Sequence, residues 1–260
     1  MGDEEGRCET MHCTFALMVT GRGEQDFLPS LFRSLMDRTN CSFSILSRIG
    51  QRGPITSEAR RLRMVGSGQA IPTSDEQELG MPARRFLRDK PTHYLLLIDD
   101  IELDRRPQIA EVFTRYRKAL DTMLRPDEGQ RAAVHFFANM LEAYYFADSR
   151  AVNQVLGRGI IARDYDGDPE DIPHPKNELK AICAGFDERR DGALIVRALD
   201  IDHVLSTPET CRYLRSLFGW CVEQVLVAAD VWDEQLATRY RLADGHREEL
   251  TRSQVAHRRQ

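Results

Sequence analysis

The segment that most limits the possible folds of this chain is the apolar run 93–98 (HYLLLI). The second half of this run is apolar at every position, instead of alternating between apolar and polar residues. A strand of this kind is typical of the centre of a parallel sheet, where helices cover both faces. The run therefore predicts an α/β fold, and an acidic segment, 99–102 (DDIE), follows it directly.

The segments on either side of this run alternate between strand and helix patterns. The run Cys13–Val19 is typical of a buried strand, and 24–38 repeats its apolar residues at helical spacing. The same reasoning predicts a strand over 41–49, a mostly loop region over 50–85 with a basic patch at Arg60, Arg61 and Arg63, a short helix over 81–89, a helix over 108–124 and a strand over 131–137. This order indicates a mainly parallel sheet flanked by helices.

The remainder of the chain is predicted to be mostly helical. A helix is expected over 175–183, and the aromatic segment 139–148 has the composition to begin another. The segment 206–208 (STP) predicts the start of a longer helix that continues through Trp220 and Val231, because proline is tolerated in a first turn. We therefore expect an α/β core over 11–150, a mostly helical extension packed on it over 151–238, and a polar, charged tail over 239–260.

The composition is that of a globular protein, with 42% hydrophobic and 30% charged residues. Nothing in the sequence approaches the roughly 20 apolar residues needed to cross a bilayer, and the acidic N-terminus is unlike a signal peptide. The six cysteines form no C-x-x-C pair, which predicts reduced and mostly buried thiols in a cytoplasmic protein. A net charge of -5 argues against a dedicated nucleic-acid coat protein, but it is compatible with a local basic channel.

The acidic segment after the apolar run predicts a cation site. Its carboxylates repel one another unless a cation or several hydrogen-bond donors hold them. In extended backbone, side chains two residues apart share a face, so Asp100 and Glu102 would ligate one Mg²⁺ together while Asp99 points elsewhere. If the strand ends earlier, Asp99 is the ligand instead. The alternative is a polar strand end that leads into a solvated loop.

A glycine-containing turn, 20–24 (TGRGE), follows the first predicted strand and provides a second candidate element of a site. In open α/β sheets, sites form at the carboxyl ends of strands, and glycine lets a ligand or a metal approach the backbone. Glu24 is a candidate ligand, although an acid in a first helical turn also offsets the helix dipole. Arg22 is a candidate contact for a phosphate group.

Two further charged residues lie in informative positions. Glu142 interrupts an aromatic stretch, and a buried acid needs a partner, which is either an arginine or the acidic site. Lys176 follows a proline-rich turn, where it either contacts a phosphate or belongs to a rigid connector. The sequence contains no Ser/His/Asp arrangement, no H-E-x-x-H motif and no P-loop.

Together, the two acidic strand ends resemble the Toprim-like fold. In that family one strand ends in Glu-Gly-x-x-Glu/Asp and a later one in Asp-x-Asp, and the acids hold Mg²⁺ for phosphoryl transfer in topoisomerases, primases and overcoming-lysogenization-defect nucleases. Here Gly21 and Glu24 match, but Thr20 stands at the position of the leading acid. The resemblance implies that Glu24, Asp100 and Glu102 bind Mg²⁺ or Mn²⁺, with Asp99 and Glu142 as further candidate ligands.

A narrower resemblance extends over residues 15–220. The segments 134–148 (VHFFANMLEAYYFAD), 174–179 (HPKNEL) and 206–208 (STP) are similar, in this order, to a bacterial family with a Toprim-like core, domain-of-unknown-function family 4276. This resemblance implies a Mg²⁺-dependent nuclease of a bacterial defence type, with nucleic acid as its substrate and an ATPase as its partner.

Two other functions stay open at this stage. The threonine at position 20 implies, as an alternative, a catalytically inactive Toprim-like subunit that binds an ATPase or another partner protein. A flavodoxin-like domain that binds a small phosphorylated ligand shares the initial order of strand, glycine turn and helix.

Overall fold

A computed structural model describes residues 11–54, 71–102, 104–230 and 233–240. Within these ranges, four parallel strands form one sheet in the order β2-β1-β3-β4. The strands are β1 Cys13–Val19, β2 Cys41–Arg48, β3 His93–Ile101 and β4 Ala132–Ala138. The parallel sheet with flanking helices confirms the predicted α/β class, and the part of the chain after β4 is helical, as expected.

The described α-helices connect the strands and form the second half of the chain. They are α1 Arg22–Phe27, α2 Arg33–Arg38, α3 Met81–Leu87, α4 Ile109–Met123, α5 Pro126–Gln130, α6 Ser149–Leu156, α7 Pro175–Ile182, α8 Arg190–Ala198, α9 Ile201–Val204, α10 Arg212–Ala229 and α11 Glu234–Arg239. Shorter 3₁₀ segments span Leu28–Phe32, Arg106–Gln108, Leu141–Ala147 and Pro169–Asp171, and a π-helical turn spans Glu76–Gly80. None of the described helices is both long enough and apolar enough to cross a membrane.

Helices cover both faces of the sheet, which explains why the central strands are apolar at successive positions. One face contributes Phe15, Leu17, Val19, Leu96 and Ile98 to a core shared with α1, α2, α8 and α10, and the other contributes Ala16, Met18, Leu95, Leu97 and Ile101 to a core shared with α3 and α4. Side chains alternate between the two faces of a strand, so a strand buried on both sides needs apolar residues throughout.

An aromatic group joins the C-terminal helices to the sheet. The Phe15 ring stacks on Phe43 of β2, with centroids 4.6 Å apart, and on Tyr94 of β3, at 5.1 Å. The indole of Trp220, on α10, meets Phe15 edge-on at 6.2 Å. The helical extension therefore packs directly on the sheet and shares its core.

Two elements near the sheet differ from their sequence-based prediction. The helix predicted over 24–38 is divided into α1, a 3₁₀ turn and α2, because Pro29 has no N–H to donate in a helix interior. Strand β3 continues past residue 98 to Ile101, because Asp99, Asp100 and Ile101 each pair with a residue of β4. The first two acidic residues thus belong to the strand itself.

The long C-terminal helix begins later than predicted. Residues 206–208 precede α10, which starts at Arg212 because its first N–H groups are capped by a distant segment. Asp168 accepts from the Cys211 N–H at 3.0 Å, and Glu170 accepts from Tyr213 at 2.9 Å and Leu214 at 3.2 Å. A cap supplied by tertiary structure has no local sequence signature.

Three other expectations have mixed outcomes. The region predicted as mostly loop over 50–85 becomes helical from Glu76 onward, and its basic patch at 60–63 lies outside the described residues. The expected polar tail begins with the end of α11 and the buried Tyr240, while 241–260 lie outside the described residues. The cysteines within the described ranges are free thiols, four buried and one half-buried, as predicted, and Cys8 lies outside those ranges.

We expect the substitution Phe15→Ala to lower the free energy of unfolding by about 3–5 kcal/mol, because it leaves a cavity between three aromatic rings. Urea denaturation followed by circular dichroism measures this change. The Phe15→Leu variant, which fills more of the space, serves as the control and should lose less. A loss below about 1 kcal/mol for Phe15→Ala would contradict the tight packing of this group.

Candidate functional site

The carboxyl ends of β1 and β3 meet at one edge of the sheet, as expected for adjacent parallel strands. A cleft of about 360 Å³ opens at this edge. Its lining includes the turn 20–24, Asp100 and Glu102, together with Glu188 from the segment before α8. The structure thus brings the two acidic segments predicted from the sequence together in one cleft.

Glu24 lies in the first turn of α1, and its carboxylate folds back onto the glycine before the helix. A Cβ atom on Gly21 would overlap this carboxylate. The backbone of Gly21 is extended, with φ -84° and ψ 156°, so other residues are compatible with its conformation. Glycine at this position leaves room for the Glu24 carboxylate, which a larger residue would displace.

The carboxyl groups of Glu24 and Asp100 lie within hydrogen-bonding reach of each other. Burial raises the pKa of Glu24. Burial, followed by the negative charges of Glu24 and Glu142, raises the pKa of Asp100 well above its usual range. Two carboxyl groups this close share a proton in the absence of a cation, since both cannot be ionised without strong repulsion.

Glu142 belongs to the same acidic group. Strand β4 ends in two residues with positive φ, Asn139 at 52° and Met140 at 79°, and Glu142 follows in the 3₁₀ segment. Burial, with the nearby charges of Glu188 and Glu24 adding to it, raises the pKa of Glu142 to about 7. Of the two outcomes expected for this buried acid, the structure shows the one in which it joins the acidic site.

The predicted basic residues take different positions around the cleft. Lys176, in the first turn of α7, forms an ion pair with Glu188. Arg22 is exposed and lines the cleft. Glu102 is likewise an exposed lining residue that extends beyond the end of β3.

Asp99 is completely buried, and donors from three parts of the chain bind its carboxylate. The Thr20 hydroxyl donates at 2.8 Å, the Tyr116 hydroxyl at 3.0 Å and the Arg105 guanidinium at 3.3 Å. Burial raises the pKa of Asp99, while these donors act in the opposite direction. The lining of the cleft includes Asp100 and not Asp99, in agreement with the strand continuing past both residues.

The residues present fit a divalent cation at Glu24 and Asp100. One oxygen of each carboxyl group, Oε2 of Glu24 and Oδ1 of Asp100, is buried and has no hydrogen-bond partner among the described residues. Mg²⁺ typically takes one or two carboxylates and completes its octahedron with water and substrate oxygens. These two residues would therefore hold the ion, with Glu102 and Glu142 as further acids nearby.

A second group of potential ligands lies outside the cleft. Within the described ranges, Asp148, Asp164 and His203 are the residues that bring three ligand atoms within 4.8 Å of one another. Their carboxylates already have structural partners: Asp148 accepts from the backbone of Ala151 and Asp200, and Asp164 accepts from Ser149. We interpret this group as a packing network between α6 and α9.

Sequence reasoning missed one residue of the acidic site, Glu188, and placed Tyr145 only in the aromatic segment around Glu142. Glu188 lies in a charged segment, 187–191, that gives no local sign of facing a cleft. Tyr145 is fully buried, and burial together with the charges of Glu142 and Glu24 raises its pKa well above the usual range. Its position within the predicted aromatic segment is the one signal that was available.

Comparison with known protein families identifies the family of this chain. The sequence model of one protein family matches residues 19–218, a range that contains the acidic residues of the cleft and Lys176. The chain belongs to this family, Domain of unknown function (DUF4276). The match to DUF4276 extends from the last residue of β1 into α10, so it includes strands β2 to β4 and most of the helical part. Neither the curated proteins nor the solved structures contain a significant match.

We expect Gly21→Ala to displace the Glu24 carboxylate and to weaken Mn²⁺ binding by tenfold or more, because Glu24 can no longer face Asp100. Isothermal titration calorimetry measures the affinity, and thermal unfolding reports the fold. The Gly53→Ala variant is the control, since a Cβ there meets no atom within 4 Å. Equal affinity in the two variants would contradict the role assigned to Gly21.

We also expect the metal-free protein to lose stability as the pH rises from about 4.5 to 7, in part through Glu142. The raised pKa of Glu142, about 7 against an ordinary 4.5, means that the folded state retains a proton in this range that the unfolded state releases. The stability that this proton contributes is fully present below pH 4.5 and is lost as the pH rises through about 7.

In Glu142→Gln, the decrease in the free energy of unfolding between low and high pH should be smaller than in the wild type by up to roughly 3 kcal/mol. Urea unfolding of both proteins at pH 5 and pH 8 tests it, with the exposed Glu178→Gln on α7 as the control. If Glu142→Gln and the wild type change in parallel with pH, the assignment of this group fails.

Proposed function

We propose that this protein is a nuclease, a phosphodiesterase that uses Mg²⁺ or Mn²⁺ to cleave nucleic acid in a bacterial defence system. The observation that supports this most is the pair formed by Glu24 and Asp100. Each has a buried oxygen without a hydrogen-bond partner among the described residues, and both residues line a cleft that also contains Glu188. An acidic site at this edge, in this order along the chain, resembles that of a Toprim-like nuclease except at the leading acid, where this chain has Thr20.

In this proposal Glu24 and Asp100 hold the metal ion. Glu102, at the rim of the cleft, is the third catalytic acid and contacts the bound substrate. Glu142 adds negative charge behind the metal ligands, because it is buried beside them. Asp99 serves as a positioning residue: it holds the end of β3 through its donors but does not face the cleft.

The bound ion would polarise the phosphodiester and activate a water molecule for attack on phosphorus. The protein's own residues orient the nucleic acid. Arg22 is exposed at the mouth of the cleft and is suited to a phosphate of the backbone. Lys176 is partly exposed and pairs with Glu188, which lines the cleft, so we assign its ammonium group as a second contact for a phosphate of the substrate.

Thr20, which replaces the leading Toprim acid, is compatible with this function. Its hydroxyl donates to Asp99, so the position has a structural role. Glu188 contributes negative charge near Glu24, and Glu142, whose pKa is raised to about 7, contributes a second negative charge when it ionises. We infer that these two residues replace the charge that threonine cannot provide.

Incubation of the purified protein with supercoiled DNA and with single-stranded RNA, each in Mg²⁺ and in Mn²⁺, tests this function. We expect cleavage that EDTA abolishes and that falls at least a hundredfold in Asp100→Asn and in Glu24→Gln. The Glu178→Gln variant, with an exposed acid outside the cleft, should cleave as the wild type does. Cleavage that persists unchanged in Asp100→Asn would overturn the assignment of the site.

The second candidate is a catalytically inactive subunit that binds an ATPase or another partner protein. One observation favours it: the cleft acids do not bring three ligand atoms within 4.8 Å of one another among the described residues. Calorimetry with Mn²⁺, combined with co-purification of the ATPase encoded by a neighbouring gene, separates the two candidates. A stable complex without metal binding supports the inactive subunit.

A further inference from the structure

A positively charged side chain already lies within the acidic group. The Lys176 ammonium forms an ion pair with Glu188, and Glu142 and Asp100 are the next acids that act on it. Burial lowers the pKa of Lys176, but these three acids more than offset this effect and raise it overall, so the group is firmly protonated. Its charge is felt in turn at Glu24 and at Glu142.

The helix that carries this ammonium is anchored in the core. Pro175 begins α7, and Leu179, one turn later, is completely buried in the core. The side chain of Lys176 is 26% exposed and that of Glu188 is 37% exposed, so both are partly accessible to solvent. The pair therefore joins α7 to the segment before α8, which lines the cleft through Glu188.

We propose that Lys176 is a built-in cation of the acidic site that competes with the divalent metal ion, and that Glu188 holds this ammonium away from the metal ligands. The inference rests on the metal site of the proposed function and extends it to the residues that set metal affinity. With Glu188 in place, the ammonium has an acceptor of its own. Without it, the acids whose negative charges act on the ammonium are Glu142 and Asp100.

The proposal predicts opposite effects for two substitutions. Removing the positive charge in Lys176→Met frees Glu188 and leaves the acids without an internal counter-ion, so Mn²⁺ should bind roughly tenfold tighter. Removing the acceptor in Glu188→Gln releases the ammonium toward Asp100, so Mn²⁺ should bind roughly tenfold more weakly. If the ion pair had only a structural role, the loss of either Lys176 or Glu188 would weaken Mn²⁺ binding.

Titration calorimetry of the metal-free full-length protein with Mn²⁺ alone tests the inference. Lys176→Arg keeps the charge and should retain wild-type affinity. Lys180→Met, on the same helix and exposed, is the matched control and should not change it. Thermal unfolding confirms that each variant is folded, and Lys176→Gln replaces Lys176→Met if the latter is not.

The expected order of affinity is Lys176→Met above the wild type, Lys176→Arg equal to the wild type, and Glu188→Gln below it. Equal affinity in Lys176→Met and the wild type overturns the inference, and so does the absence of Mn²⁺ binding in both. The expected order of affinities without any cleavage of DNA or RNA supports the inference while it refutes the proposed nuclease, so the two failures are distinguishable.

Discussion

The parallel pairing of β1 with β3 is the interaction on which the site depends. Val19 is the register partner of Ile98, so the residues that follow, Thr20 and Asp99, are neighbours across the two strands. Their hydrogen bond of 2.8 Å is a direct consequence. The same register brings the turn after β1 beside the end of β3, which is why Glu24 reaches Asp100. A shift of β3 by one residue would exchange the faces on which Asp99 and Asp100 lie.

The two adjacent aspartates have opposite roles because they lie on opposite faces of one strand. Asp99 points into the protein, where three donors hold it, and Arg105 joins it to the carbonyl oxygens of Asp100 at 2.8 Å and Arg52 at 2.8 Å. This network connects the loop after β2 to the end of β3. Asp100 points toward the cleft with an unpartnered oxygen. Asp99 stabilises the end of β3, and Asp100 is the metal ligand that we propose.

The helical part of the chain completes the acidic site. Lys176 and Glu188 come from α7 and the segment before α8, and they act on acids that follow β1, β3 and β4. A sheet edge with several buried carboxyl groups is electrostatically costly, and a single ammonium offsets part of this cost. The family match across residues 19–218 includes all of these elements. Residues of the sheet and of the helical part therefore contribute to the same acidic site.

The sequence by itself determined the strands and the parallel sheet, because apolar periodicity is a local property that successive residues record. The sequence also indicated acids after two of these strands, but only the resemblance to the Toprim-like fold implied that Glu24 and Asp100 share a site. It left open which aspartate faces the cleft, and it misplaced the start of α10. Tertiary structure decided both, through the pairing of β3 with β4 and through the cap that Asp168 and Glu170 provide. The Lys176–Glu188 pair also appears only in the folded chain, since contacts between distant segments leave no periodic signal in either one.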